Sequence, residues 1–439
     1  MSESSDTPES AVVTVGLLGC GIVGTQLVKL ITERSPIIAE STGSRLELGR
    51  IAVRSVSKDR GLPIDESMLT TDAESVVNDP SIDVIVEVIG GIEPARSLII
   101  SALRAGKSVI TANKELLANV GAELYAEAEA NGVDLLFEAA AAGAIPIVRP
   151  LRQSLLGEDV SRVMGIVNGT TNYILTRMTD DGVYYTDALS EAQRLGYAER
   201  DPTADVEGFD AGAKAAIMAS IAFGANVVAG DVYHEGISAI TQGDIEFAKQ
   251  FDYTIKLLAI AEVFRGGDSA DEIGVRVYPA MVPDEHPLAS VRGSFNAVFV
   301  EGEAAGELMF YGRGAGGLPT ASAVLGDLVD AAINLRRGTF RPVPHGPRAK
   351  IRSIDGLDSA YYVGITVTDS PGVLSSVAGV FGQNNVSIRA MQQQGSGDEA
   401  RVAFITHTAN ERDVQATLSG LRKLDEVSDV HSVLRVIGS

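Results

Sequence analysis

The chain has 439 residues, 45% of them hydrophobic, and a formal net charge of −22. That length and composition suit a globular protein of roughly two to three domains with ample material for a core. The acidic residues are spread along the chain, which argues against nucleic-acid binding, and no apolar run approaches the ~18 residues of a membrane span. The single cysteine, Cys20, excludes an intrachain disulfide, and with no signal peptide in view a cytoplasmic location is expected.

The first ten residues, MSESSDTPES, are polar and expected to be disordered. Residues 11–18, AVVTVGLL, read as a strand buried on both faces of a parallel sheet. Gly19-Cys20-Gly21-Ile22-Val23-Gly24 follows, and then TQLVKLITE with helical periodicity. A GxGxxG between strand and helix points to dinucleotide binding. Gly19 permits the turn, Gly21 admits a pyrophosphate, and Gly24 lets helix and strand pack closely. The helix N-terminus offers free N–H groups to the phosphates. Cys20 reads as a small turn residue rather than a nucleophile.

The next strand, LELGRIAVRSVSK, ends in Arg54 with Lys58 close behind. An acidic residue there would bond a ribose 2′-hydroxyl; cations suit a 2′-phosphate instead, so NADP(H) is favoured over NAD(H). Residues 81–91, SIDVIVEVIGG, form a further buried strand ending in Gly90-Gly91, with a helix at 94–105. KSVITANK (107–114) is another strand, which brings Thr111 and Lys114 to its carboxyl end. Strand carboxyl ends face the ligand crevice in a doubly wound sheet, so Lys114 is placed near the nicotinamide; by itself it also reads as a surface lysine. Residues 132–148 add one more strand.

Past residue 150 the texture changes. Strand-like DVSRVMGIVNGTTN leads through helices to 196–214, GYAERDPTADVEGFDAGAK, and then to AAIMASIAFGA. A helix apolar all round is buried, so Lys214 is a lone cation in a buried helix. Glu207, Asp210 and Lys214 are spaced to share one helical face, whereas Glu199 and Asp205 lie in a loop around Pro202. A desolvated lysine sheds its proton more readily and a nearby carboxylate opposes that, a balance suited to acid–base work. The carboxylates suit the ammonium group of an amino acid. With a nicotinamide nearby, the chemistry is hydride transfer between an alcohol and an aldehyde. The cluster Gly312, Gly314, Gly316, Gly317 before a helix is either a second cofactor contact or a crossover turn. Residues 337–360 read as a linker, and the remainder as a ferredoxin-like βαββαβ domain in its own right.

On GLLGCGIVG, TANK, NGTTNYIL, GYAERDPTADVEGFDAGAK and GRGAGGLPTASAV, the chain resembles homoserine dehydrogenase in its longer form with a C-terminal ACT domain. The resemblance covers essentially everything after the first ten residues. It implies an α/β chain with a Rossmann-type dinucleotide-binding domain over 11–150, completed by about 312–340. An α+β catalytic and dimerisation domain follows over 151–311, then a linker over 341–360 and a ferredoxin-like ACT domain over 361–439. It implies reversible reduction of L-aspartate 4-semialdehyde to L-homoserine with NAD(P)H. Lys214 then looks like the acid–base, Lys114 a second essential lysine, and Glu199, Asp205 and Asp210 the substrate carboxylates. The cofactor set is Gly19, Gly21, Ile22, Val23, Gly24, Arg54, Lys58, Gly90, Thr111, Lys114 and Gly316.

The resemblance also implies a monovalent cation, usually Na⁺, at Glu138, Ala141, Gly143 and Ile145, with only Glu138 offering a side-chain oxygen. An amino-acid effector, L-threonine, is implied at Asp369, Gly372 and Val373, together with a homodimer or homotetramer. A semialdehyde dehydrogenase acting through an acyl-enzyme is disfavoured, because its nucleophile would have to be Cys20 in the glycine turn. A dehydrogenase acting on a related amino-acid aldehyde or hydroxyl, and an inactive NADP sensor, are the competing readings; the intact Lys114, Glu199, Asp210 and Lys214 set argues against the sensor.

Overall fold

Two sheets organise the chain. The computed structural model describes residues 11–266, 270–395 and 398–438, so the polar N-terminus expected to be disordered lies outside the described residues. The first unit runs β1 (Ala11–Leu18), α1 (Ile22–Thr42), β2 (Ser44–Ala52), β3 (Leu69–Thr70), α2 (Ala73–Val77), β4 (Val84–Glu87), α3 (Ala95–Arg104), β5 (Ser108–Thr111), α4 (Lys114–Asn131), β6 (Leu135–Leu136) and α5 (Glu138–Ala142). Its strands are all parallel, in the order β3-β2-β1-β4-β5-β6. Val15, Leu17, Leu18, Val84, Ile85 and Val86 are fully buried, as helices on both faces require. The strand order reverses between β1 and β4, which opens a crevice above their carboxyl ends.

The strand expected over 132–148 is only the two residues of β6. Beyond it the chain folds back, because Glu138 accepts the backbone N–H groups of Ile147, Val148 and Arg149.

The second unit holds β7 (Val160–Ile166), α6 (Gly169–Asp181), α7 (Tyr185–Arg194), α8 (Thr203–Val206), α9 (Phe209–Phe223), β8 (Tyr233–His234), α10 (Gln242–Gln250), β9 (Tyr253–Phe264), β10 (Glu272–Pro283), β11 (Phe295–Gly302) and β12 (Gly306–Arg313). Helix α9 packs on β9 and β10, with Ala211, Ala215, Ala216 and Ala219 buried. Small side chains let it lie close to the sheet. After β12 the chain returns to the first unit as α11 (Gly317–Arg337). There Ala321, Val324, Leu328 and Ala331 share a core with Leu27, Val28 and Ile31 of α1.

The C-terminal unit has β13 (Lys350–Ile351), β14 (Asp358–Thr368), α12 (Val373–Gln383), β15 (Ile388–Gln394), β16 (Glu399–Thr406), β17 (Ala409–Asn410), α13 (Glu411–Leu421) and β18 (Val427–Val436). The βαββαβ order is present, and one hydrophobic core joins α12 and α13 to the sheet. It also pairs with the preceding unit. Ala280 and Met281 of β10 pair in parallel with Arg435 and Val436 of β18. The second sheet is therefore continuous, in the order β12-β11-β7-β9-β10-β18-β14-β16-β15. The segment read as a linker is itself pinned, since β13 pairs with β10 and Asn226 donates to Pro347 O at 3.0 Å. Among the described residues no helix is long and apolar enough to cross a membrane.

Candidate active site

The glycine turn has the expected form. Gly19 adopts φ 101°, and a Cβ on Gly24 would stand 2.3 Å from Gly19 O. A Cβ on Gly21 would meet nothing within 4 Å, so the space before α1 is open to a phosphate. Ile22 is exposed and Val23 half-buried at the helix start. Cys20 Sγ lies 3.8 Å from Thr25 Oγ1, as a packed turn residue. Arg54 and Lys58 are exposed on the loop after β2. Arg60, which the sequence reading passed over, ties this loop down by donating to Lys58 O at 2.7 Å, Ser55 O at 2.9 Å and Cys20 O at 3.4 Å. Its only signal in the sequence is a third cation in the same loop.

At the end of β4, buried Glu87 accepts from Ile89 N at 2.7 Å, Gly90 N at 3.0 Å and Thr111 Oγ1 at 2.6 Å. One carboxylate thus fixes Gly90 and Thr111 at the carboxyl ends of β4 and β5. Gly316, with φ 120°, caps α11, and a Cβ on Gly317 would sit 2.6 Å from Ile22 Cγ2. The 312–317 segment is therefore a crossover between the two sheets that also lies against the start of α1.

Across the crevice, Lys214 is buried in α9 and donates to Asp210 Oδ2 at 2.7 Å and Val167 O at 2.6 Å. Asp210 reaches Lys114 with its other oxygen. Asn168, the N-cap of α6, donates to Asp205 Oδ1 at 2.6 Å and Asp210 Oδ2 at 3.0 Å. NGTTN was visible in the sequence, but nothing in its spacing said which carboxylates its asparagine would bridge.

Burial pulls the Lys214 ammonium below the ordinary lysine value, against the attraction of Asp210. Burial also opposes charge on Lys114, but Asp210 outweighs it and holds Lys114 above its ordinary value. Its side chain is 45% exposed, against 9% for Lys214, which accounts for the difference. Burial would raise Asp210, yet the two lysines hold it well below the usual carboxylate range. Asp205 is raised by burial.

Glu207 departs from the expected shared face. Gly208 breaks the helix with φ 84°, so Glu207 ends α8 and accepts from Ser238 Oγ at 2.8 Å instead. The loop expected around Pro202 tightens into α8. Glu199 is exposed on the rim of a cleft of about 1000 Å³ that Lys114, Asn168, Asp205, Asp210, Lys214 and Gly316 also line.

Glu138, expected to lend a side-chain oxygen to a cation, is held in place by backbone donors. Its oxygens accept from Ile147 N, Val148 N and Arg149 N at 2.6, 2.7 and 2.8 Å. Among the described residues no group of three or more His, Cys, Asp or Glu could hold a metal ion. A cation at this segment would be held by oxygens alone, from Glu138 and from the main-chain carbonyls of Ala141, Gly143 and Ile145. Gly143 turns there with φ 63° against Gly314 O. In the C-terminal unit, Gly372 caps α12 with φ 98°, Val373 is buried, and Asp369 Oδ1 accepts from Gln393 Nε2 at 3.2 Å.

A doubly wound sheet whose glycine turn faces a buried lysine–aspartate pair across one cleft defines a pyridine-nucleotide-dependent oxidoreductase. Comparison with known proteins gives its kind. Residues 19–138 match the family model "Homoserine dehydrogenase, NAD binding domain", 146–329 "Homoserine dehydrogenase", and 361–426 "ACT domain". The homoserine dehydrogenase of Corynebacterium glutamicum is 50% identical, over 98% of this chain and 96% of its own. The crystal structure of a homoserine dehydrogenase from Thiobacillus denitrificans superposes with TM-score 0.89 at 39% identity, over 97% of this chain and 98% of its own. A hyperthermophilic archaeal homoserine dehydrogenase mutant, solved in complex with NADPH, has TM-score 0.60 at 28% identity, over 73% of this chain and 98% of its own. The chain belongs to the homoserine dehydrogenase family.

Proposed function

We propose that this homoserine dehydrogenase interconverts L-homoserine and L-aspartate 4-semialdehyde with NADP(H) preferred over NAD(H), using Lys214 as the acid–base. The observation that carries the reading is Asp210 held between Lys214 and Lys114. When bound, the dinucleotide accepts or supplies the hydride. In alcohol oxidation, neutral Lys214 takes the hydroxyl proton as the carbonyl forms; in reduction, its ammonium returns that proton to the aldehyde oxygen. Lys114, kept charged by Asp210, polarises the same oxygen from the cofactor side. Glu199, Asp205 and Asp210 orient the substrate's ammonium. Gly19, Gly21, Ile22, Val23, Gly24, Gly90, Thr111 and Gly316 cradle the dinucleotide, and Arg54 with Lys58 meets its 2′-phosphate. The relative solved with NADPH supports that preference.

On the same reading, a monovalent cation such as Na⁺ sits on a side-chain oxygen of Glu138 and the carbonyls of Ala141, Gly143 and Ile145. L-Threonine binds at Asp369, Gly372 and Val373 as a feedback inhibitor. The chain works in the cytoplasm as a homodimer or homotetramer; among the described residues β12 and β15 are the outer strands of the second sheet. The division into a nucleotide domain (11–150 with 312–340), a catalytic domain, a linker and an ACT domain follows. The test is NADP⁺ reduction with L-homoserine, with and without L-threonine. Turnover that threonine suppresses is expected; no turnover with homoserine would overturn the reading.

A further inference from the structure

Asp210 and Lys214 sit in the first turns of α9, so whatever holds that end of the helix also holds the pair. The N-cap, Gly208, lies so close to β10 that a Cβ on it would stand 2.9 Å from Val277 Cγ1. Val277 pairs with His234 of β8, and the His234 ring reaches the same stretch of helix. A Cβ on Gly212 would stand 2.0 Å from Nε2 of that ring. Gly212 is two residues from both Asp210 and Lys214, which places it roughly opposite them around the helix. The Phe209 ring packs on His234, with centroids 5.0 Å apart. Burial holds His234 below the ordinary histidine value, so at neutral pH an uncharged ring meets the helix.

The backbone on either side of His234 is fixed. Tyr233 pairs with Arg276, and its hydroxyl donates to Glu235 Oε1 at 2.5 Å. Glu235 N donates to Val277 O at 2.8 Å, and the Glu235 carboxylate accepts from Arg435 of β18. A ring on so fixed a strand is a stop behind the helix, and the missing Cβ at Gly212 lets helix and ring close on each other. We propose that His234 is a positioning residue for the reaction: it stops the first turns of α9 at the depth that sets Asp210 and Lys214 against Lys114. This rests on Lys214 as the acid–base.

The experiment is a double-mutant cycle in L-homoserine oxidation, with His234→Ala, Gly212→Ala and the two combined. Losing the ring lets the helix sink toward β8, whereas a methyl at position 212 drives it away. Each single variant should lower kcat by about 10–100-fold, the cost of a misplacement on the order of 1 Å, with the KM for NADP⁺ unchanged. In the double variant the new methyl enters the space the ring has left, so kcat should recover above that of either single variant. His234→Gln, whose side chain still reaches the helix, should lose less kcat than His234→Ala, and it serves where the alanine variant does not fold. Thermal melts separate stability from position: a merely structural histidine would lower the melting temperature and leave kcat per folded enzyme unchanged. That outcome, or losses that multiply in the double variant, overturns the proposal. Full turnover by Lys214→Ala would overturn the acid–base assignment on which it rests.

Discussion

Glu235 and Arg435, 200 residues apart in the chain, meet in an ion pair with two contacts of 2.8 and 2.9 Å. Arg435 belongs to β18 in the C-terminal unit; Glu235 directly follows β8. The same guanidinium donates to Glu411 at 2.8 and 3.2 Å and lies 4.5 Å over the ring of Tyr278. The residues after Glu235 lean on the carboxylate strip, with Ile237 N donating to Val206 O at 2.9 Å. The effector-type unit is thus joined to the active-site wall by covalent chain, sheet and buried charge.

Removing that charge leaves two carboxylates without their cation. Arg435→Met should lower the free energy of unfolding by about 3–5 kcal/mol, read from denaturant melts. Deletion of residues 361–439 would also strip β18 from β10. We expect an unstable protein rather than an enzyme merely freed of feedback; a well-folded, fully active truncation would refute the structural role of the junction.

Lys214→Ala should cut kcat by about 10²–10⁴-fold. NADP(H) binding, followed by nucleotide fluorescence, should stay nearly intact, because Lys214 bonds Asp210 and Val167 across the cleft from the glycine turn. Equal loss of binding and turnover would make the lysine structural.

The pH dependence follows from the same pair. Lys214 must be neutral to accept the alcohol's proton, so oxidation should rise with pH through a pKa below the ordinary lysine value of 10.5. Asp210 stabilises the ammonium form. Neutralising it in Asp210→Asn should therefore move the rising limb of kcat to lower pH, whatever the loss in rate. A limb displaced upward would contradict Lys214 as the base.

Arg54 stands exposed where Arg60 anchors the loop. Arg54→Asp should shift preference from NADP⁺ toward NAD⁺ in kcat/KM, and unchanged selectivity would remove Arg54 from the 2′-phosphate.

Lys256 is buried in β9 and donates to Asn172 Oδ1 at 3.1 Å and Val291 O at 2.5 Å, and among the described residues it forms no ion pair. Burial, aided by Arg292, lowers its pKa from 10.5 to about 7. Between those values the unfolded chain binds the extra proton, so stability should rise with pH across that window. Lys256→Met should flatten the slope in thermal melts taken across it.

The sequence by itself determined the local features. A run of β-branched residues followed by spaced glycines reads as a strand and a tight turn into a helix, and an all-apolar helix around Lys214 reads as buried. The βαββαβ order was equally legible, since each element carries its own periodicity. Tertiary structure decided which charges meet. Gly208 turned Glu207 away from Asp210, and Asn168 entered the cluster from a different helix. Backbone amides claimed the carboxylate of Glu138, and one parallel pairing fused the C-terminal unit to the catalytic sheet. Periodicity reports which face of an element is apolar, whereas a hydrogen bond between residues far apart depends on how the elements are stacked.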